Sequence, residues 1–101
     1  MTQQISDVGV IKNVGAASHR NVISIDDTPT ALTITTNKET IEVYNESNYF
    51  LYYGGSGVSD STGIPIFPKS TKAWANVKHG FVVYLVRASG ESGNIRVVEY
   101  D

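Results

Sequence analysis

The side chains that could take part in a chemical reaction are few in this chain of 101 residues. It has no cysteine, which excludes disulfides, thiolate metal sites and cysteine nucleophiles. The two histidines, His19 and His79, each lie beside a basic residue, and neither has a neighbouring carboxylate that would suggest a metal site or a catalytic triad. We therefore expect no catalytic residues and no enzymatic activity.

The glycine-rich and acidic segments do not complete a ligand-binding motif. Residues 54–57 (Gly-Gly-Ser-Gly) lack the Lys-Ser/Thr pair that follows in a phosphate-binding loop, so we interpret them as part of a flexible loop between strands. The chain has no Gly-x-Ser-x-Gly nucleophile motif. Asp26, Asp27 and Asp60 carry carboxylate oxygens that suit calcium, but calcium usually takes more ligands at close spacing. The sequence at 26–29 (Asp-Asp-Thr-Pro) more simply predicts a turn. We expect no metal and no cofactor.

The charge balance argues against nucleic acid and membranes as partners. The formal net charge is −2, whereas a surface that follows a phosphate backbone needs an excess of lysine and arginine. The longest apolar run, at residues 81–86, is far shorter than the ~20 residues that span a bilayer. The polar start of the chain lacks the apolar segment of a signal peptide, so we expect synthesis in the cytoplasm.

Apolar residues recur with a period of two from residue 20 onward. Residues 81–86 are apolar at both alternating sets of positions, which predicts a central strand. Residues 64–68 contain two prolines, which confine that segment to a sheet edge or to an irregular extended segment. Turns rich in Gly, Asn and Asp separate seven or eight such short strands. We predict an all-β fold, a small antiparallel β-sandwich or barrel of jelly-roll or immunoglobulin-like type.

The chain divides at residue 20 into a short arm and one domain. Residues 1–19 are mostly polar, with a short apolar stretch at Val8, Val10 and Ile11 that we take as a candidate interface. The arm either becomes ordered on a partner, or is a frayed terminus or an extra strand of its own sheet. Residues 20–101 form a single β-sandwich domain in this interpretation.

Aromatic residues are concentrated on and beside the predicted strands. Alternation places Tyr49, Leu51 and Tyr53 on one face of their strand and Phe50 and Tyr52 on the other, so one aromatic row must lie outside the core. Such a row suits a sugar-binding platform or a protein interface, and it equally suits ordinary cross-strand pairing on a solvated sheet. The candidate interface residues of this kind are Tyr49, Tyr52, Tyr53 and Trp74.

Several segments together resemble small structural proteins of tailed-phage virions. They are residues 41–47 (Ile-Glu-Val-Tyr-Asn-Glu-Ser), an aromatic strand ending in Tyr-Gly-Gly at 53–55, Val58, residues 63–66 (Gly-Ile-Pro-Ile) and the closing strand at 95–100. The resemblance covers about half of the chain and rests largely on turn residues. The sequence departs from it at 67–70 (Phe-Pro-Lys-Ser), where the pattern leads us to expect a glycine in the turn.

The resemblance implies a role on the phage particle. The protein would be a capsid decoration (cement) protein that stabilises the head, or an accessory module of the head or tail. It would be made in the host cytoplasm, form a homotrimer and contact the major capsid protein or other virion proteins. The alternative is a tail or head-fibre module that binds a receptor or a carbohydrate. The residues that match the pattern, interpreted as shaping turns, are Asn45, Gly54, Gly55, Gly63 and Pro65.

Overall fold

The computed structural model describes residues 17–34 and 38–100. In this part of the chain there are nine strands and no helix, which confirms the all-β prediction. The strands are β1 (Ser18–His19), β2 (Ile23–Ile25), β3 (Thr30–Thr33), β4 (Thr40–Asn45), β5 (Leu51–Gly54), β6 (Ile64–Ile66), β7 (Thr71–Trp74), β8 (Val82–Val86) and β9 (Gly93–Tyr100).

The strands form two antiparallel sheets. Sheet A has the order β1-β9-β4-β7, with β2 also paired to β9, and sheet B has the order β3-β8-β5-β6. As predicted, β8 is central; the proline-containing β6 lies at an edge, one of the two alternatives predicted for it. The two sheets share one apolar core, so the molecule is a small β-sandwich.

The core is made by the inward rows of both sheets. Because successive side chains of a strand point to opposite faces, Ile41 and Val43 of sheet A and Leu51 and Leu85 of sheet B meet in the middle, each fully buried. Burying a side chain of this size contributes about 1.5–3 kcal/mol to folding. The buried cluster is completed by Ile25, Leu32, Ile66, Val83, Ile95 and Val97.

The first strand begins before the predicted domain boundary. Ser18 and His19 pair with Glu99 and Val98 of β9, so the last residues of the predicted arm belong to sheet A. A strand of this length is too short for a period of two to be recognised, which is why the sequence predicted seven or eight strands. Val8, Val10 and Ile11 lie outside the described residues.

One turn has a lysine where the backbone favours glycine. Lys69 has a φ of 60°, follows Pro68, and precedes Ser70, whose N–H donates to the carbonyl of Phe67 at 3.2 Å. This is the pattern of a type II turn, whose third position requires positive φ. The N–H of Lys69 donates to the carbonyl of Asn45, and the N–H of Asn45 donates to the carbonyl of Ser70. Lys69 and Ser70 therefore both lie opposite Asn45 in a β-bulge, and the first residue of such a bulge is usually glycine. The missing glycine noted in the sequence is therefore at a strained position.

Replacing Lys69 with glycine is expected to stabilise the fold. The left-handed conformation costs a non-glycine residue about 1–2 kcal/mol, and glycine itself loses about 0.5–1 kcal/mol of chain entropy on folding. The net gain is about 0.5–1 kcal/mol, measured as a higher midpoint of urea unfolding. Lys69→Ala is the control, because it removes the ammonium contact with the Glu46 carbonyl and keeps the strain. A lower midpoint for K69G than for K69A would contradict this account.

Candidate interaction surface and the residues that hold it

The outer faces of the two sheets differ in charge. Sheet A presents Glu42 and Arg96, with Tyr44 opposite Arg96 on the same face. All strand residues of sheet B are described, and its outward row contains no charged side chain. That outward row comprises Ala31, Thr33, Tyr52, Gly54, Pro65, Val82, Tyr84 and Val86. An uncharged sheet face is typical of a surface that is covered by a partner.

Aromatic rings cluster at one corner of this uncharged face. We call Phe50, Tyr52 and Phe67 the aromatic patch. The ring of Phe50 lies 5.0 Å from that of Phe67 and 6.4 Å from that of Tyr52, centroid to centroid. Phe67 is 60% exposed, and Phe50 and Tyr49 beside it are 39% and 47% exposed. Adjacent exposed aromatic residues of this kind commonly mark binding surfaces.

The long glycine-rich loop covers the neighbouring part of the same face. Val58 is 7% exposed, and it lies beside Val86 of the outward row, which is itself buried. Gly54 and Gly63 make room for the Val58 side chain, because a Cβ at either position would approach Val58 Cγ2 to 3.1 Å or 2.7 Å. The Val58 side chain therefore holds the loop against the outer face of sheet B, whereas the sequence predicted only a flexible connection.

Gly63→Ala is expected to displace this loop and to lower stability by about 1–3 kcal/mol, the usual cost of overpacking. The new Cβ would lie 2.7 Å from Val58, 2.8 Å from Tyr52 Cβ and 3.0 Å from the Ser59 carbonyl oxygen. Gly57→Ala is the matched control, since its Cβ would meet nothing within 4 Å. Thermal unfolding of both variants measures the difference, and equal melting temperatures would contradict the packing described for Val58.

The four predicted aromatic interface residues lie in two different environments. Tyr49 and Tyr52 are near or in the aromatic patch. Tyr53 and Trp74 instead point inward, pack edge-to-face at 5.1 Å and contact the core, so Tyr53 lies on the face opposite Tyr52. Phe50 and Phe67 were not among the predicted interface residues. For Phe50 the signal was present, since alternation placed it on the same face as Tyr52.

A cleft of about 250 Å³ opens beside the inward aromatic pair, between the edge strands β6 and β7. Its lining includes Tyr53, Phe67 and Lys72. The Lys72 ammonium lies 5.6 Å from the ring centre of Tyr53 and 5.7 Å from that of Trp74, a cation–π arrangement. The cleft thus combines aromatic surface with one positive charge.

A buried arginine fixes the backbone beneath the aromatic patch. Arg87 is 1% exposed and its guanidinium donates to four carbonyl oxygens: Ile25 at 3.1 Å, Tyr49 at 3.1 Å, Phe50 at 3.4 Å and Asn94 at 3.3 Å. Burial lowers the pKa of Arg87, while the charge of Glu91 raises it. Its side chain ties both sheets together at this end of the sandwich.

A buried asparagine completes this arrangement from the other sheet. Asn45 is fully buried, and its Nδ2 donates to the carbonyl oxygens of Tyr49 at 2.9 Å, Ile66 at 3.1 Å and Phe67 at 3.2 Å. Its Oδ1 accepts from the N–H of Ser47 at 3.2 Å. We call Asn45 and Arg87 the buried polar pair. Together they bond to the carbonyls of Phe50 and Phe67, the two exposed phenylalanines of the patch.

A second polar connection closes the opposite end of the sandwich. Glu99 is 1% exposed and accepts a hydrogen bond at 2.6 Å from Arg20, which also donates to the carbonyl of Thr33 in sheet B. On the surface, Arg96 bonds to Glu46 at 2.7 Å, and this contact lowers the pKa of Glu46 and raises that of Arg96. Arg20 therefore links the two sheets at this end of the sandwich, whereas the Arg96–Glu46 pair is a surface contact.

Two of the three candidate calcium ligands, Asp26 and Asp27, accept backbone hydrogen bonds in turns. Asp26 accepts from the N–H of Thr28 at 2.9 Å, and Asp27 accepts from the N–H of Gly90 at 2.9 Å. Within residues 17–34 and 38–100, no three side chains of the metal-ligating types come together. The same residues contain no helix long and apolar enough to cross a membrane.

No protein-family model matches this chain, and no curated protein or solved structure matches it either.

Proposed function

We propose that this chain is a structural component of a phage particle, a capsid decoration protein that stabilises the head. The observation that carries the proposal is the uncharged outer face of sheet B with its exposed aromatic patch. The sequence resemblance supports the assignment to a virion. In this role the protein acts by contact area and needs no catalytic group.

The physical argument concerns the exposure and rigidity of the patch. Phe50 and Phe67 are exposed to water. A partner that covered them would gain about 25 cal/mol of binding free energy for every Å² of apolar surface buried. The buried polar pair holds the backbone of both residues, so little conformational entropy is lost when a partner binds. A rigid apolar surface of this kind is suited to permanent assembly in a particle.

Co-sedimentation with capsids tests the proposal. Purified chain is added to capsids assembled without it, and we expect saturable binding and a higher temperature of capsid disruption. Phe67→Lys should reduce binding, because it places a charge in the aromatic patch. Val22→Lys is the matched control, since Val22 is 53% exposed and lies beside β2 in sheet A. Failure of the unaltered chain to bind any phage particle would overturn the proposal.

The second candidate is a fibre module that binds a receptor or a carbohydrate. The cleft beside Tyr53 and Lys72 favours it, because sugars bind to aromatic surface flanked by polar groups. A glycan array with the purified chain is the test, with Lys72→Ala expected to weaken any hit and Lys78→Ala, on an exposed turn residue, expected to preserve it. An array without hits would remove this candidate.

A further inference from the structure

We infer that the edge of sheet A at β7, with the cleft beside it, binds an extended acidic segment of a partner protein, which adds to the sheet as a further strand. The inference goes beyond the capsid role, since it concerns the edge of sheet A and not the outer face of sheet B. At the cleft that the second candidate assigns to a receptor or a carbohydrate, it names a peptide as the occupant. It is tested on the purified chain, so its failure and a failure of capsid binding are separate results.

The backbone of β7 presents hydrogen-bonding groups on its outer side. The carbonyl of Ser70, just before β7, accepts a hydrogen bond from the last residue of β4 at 2.9 Å. Because successive residues of a strand direct their backbone groups to opposite sides, Lys72 and Trp74 also bond to β4. The N–H and C=O groups of Thr71 and Ala73 therefore face away from β4. In the described part of the chain no other strand pairs with β7, so these groups are open to an added strand.

Alternate side chains of an added strand would enter the cleft between β6 and β7. On the wall formed by sheet A, Lys72 and Trp74 point inward, because they lie opposite the core residues Val43 and Ile41. The other wall comes from sheet B and the turn after it, with the residues Tyr53, Ile64, Pro65, Ile66 and Phe67. An inward side chain placed here would cover apolar surface of both sheets.

One residue of this wall shows that the inner face of sheet B is incompletely covered. Ile64 lies opposite the inward Tyr53 and so belongs to the inner face, yet it is 56% exposed. Ile66, the next inward residue of β6, is 4% exposed. The core therefore opens to water at this side of the sandwich, where an added strand would close it.

Lys72 determines the charge of the strand that fits. Its ammonium lies against the rings of Tyr53 and Trp74, and within the described residues it makes no ion pair with a carboxylate. An inward-pointing charge on an edge strand usually prevents further pairing, because an apolar strand would bury the ammonium without a counter-charge. A strand with Asp or Glu facing Lys72 supplies that counter-charge and a charge-assisted hydrogen bond. The cleft therefore excludes most strands and accepts an acidic one.

The same lysine disfavours a second copy of β7 as the added strand. Two β7 strands side by side would bring two ammonium groups to one inner face, and the sequence at 71–74 (Thr-Lys-Ala-Trp) offers no carboxylate between them. The added strand therefore has a different sequence, with a carboxylate in its inward row and apolar side chains beside it.

Selection of binders from a display library of random heptapeptides, with the purified chain as target, tests the inference. We expect the enriched peptides to alternate in polarity and to carry Asp or Glu among the residues of one alternating row. Lys72→Glu should replace this acid by Lys or Arg in a new selection, and it should weaken the original peptides about tenfold or more. Lys78→Glu makes the same charge change on an exposed turn residue and should leave both results unchanged.

Ala73→Pro tests whether the peptide is bound as a strand. Proline removes the N–H that faces the open edge and leaves the bonds to β4 intact, as edge strands tolerate. We expect the variant to fold, as followed by circular dichroism, and to bind the selected peptides about tenfold more weakly or worse. Trp74 is the only tryptophan of the chain and lies at the cleft, so its fluorescence reports peptide binding.

A selection that enriches no acidic alternating sequence would overturn the inference. Equal affinity of the selected peptides for the unaltered chain and for the Lys72→Glu variant would do the same. Glycan binding that requires Lys72 and persists in Ala73→Pro would assign the cleft to a carbohydrate instead. If Ala73→Pro does not fold, the exchange of acidic for basic peptides with Lys72→Glu decides the matter alone.

Discussion

Replacing Arg87 with methionine is expected to lower the free energy of unfolding by about 3–5 kcal/mol, a large part of the stability of a small domain. Methionine fills a similar volume but donates no hydrogen bond, so the carbonyl oxygens of Ile25 and Phe50 lose their side-chain donor inside the sandwich. The Tyr49 carbonyl keeps only the bond from Asn45. Each unsatisfied buried carbonyl costs about 1–3 kcal/mol, and partial relaxation reduces the sum. Urea unfolding followed by circular dichroism measures the loss.

Arg96→Met is the matched control for this prediction. The Arg96 side chain is 62% exposed and pairs with Glu46 on the surface, where screened ion pairs contribute little. Its removal should shift the unfolding midpoint only slightly. A loss for Arg87→Met that is no greater than the loss for Arg96→Met would show that the buried guanidinium does not hold the two sheets together.

Asn45→Asp is expected to destabilise the fold by about 3 kcal/mol or more, although the side chains have nearly the same shape. The amide nitrogen that donates to Tyr49, Ile66 and Phe67 becomes a carboxylate oxygen, which is repelled by the same three carbonyls. Burial and the three carbonyls raise the pKa of this carboxyl in the folded chain above its unfolded value of about 4. The protonated carboxyl can donate one bond, so the loss should shrink as the pH falls through the raised pKa toward about 4.

Asn48→Asp provides the control, since Asn48 lies in the same turn with its side chain exposed. We expect it to unfold at nearly the same urea concentration as the unaltered chain. Comparable losses for the two variants would mean that charge in the turn, and not the buried donor, decides stability.

The strand pattern could be predicted because each strand is decided by its own residues. The alternation in residues 41–44 and the doubly apolar run at 81–86 require only neighbouring side chains and a face to bury. Two prolines limited residues 64–68 to an edge strand or an irregular extended segment, and β6 takes the first of these. The pairing of strands from distant parts of the chain, such as β2 with β9, depends on contacts that no local pattern reports.

The buried polar residues that bond to the backbone of the sandwich were harder to predict from the sequence. Each buried polar side chain ends an inward row: Asn45 follows Ile41 and Val43, Arg87 follows Val83 and Leu85, and Glu99 follows Ile95 and Val97. A polar residue at the end of such a row could equally be exposed. Its burial depends on which carbonyls the opposite sheet brings to it.

The position of the glycine-rich loop could not be predicted from sequence. Its composition indicated only a flexible connection, and the packing of Val58 against the outer face of sheet B depends on the space that Gly54 and Gly63 leave at the two ends of the loop. From the resemblance, Gly54 and Gly63 were interpreted as residues that shape turns. In the structure, a side chain at either position would enter the space that Val58 occupies.

The anchoring of this loop by Val58 divides it into two segments with different tolerance to engineering. Gly55, Ser56 and Gly57 are exposed, and a Cβ at either glycine would touch nothing within 4 Å. A foreign peptide inserted between Gly55 and Gly57 would therefore extend away from the molecule while Val58 remained in place. This tip is the natural attachment point for an epitope tag or a displayed antigen.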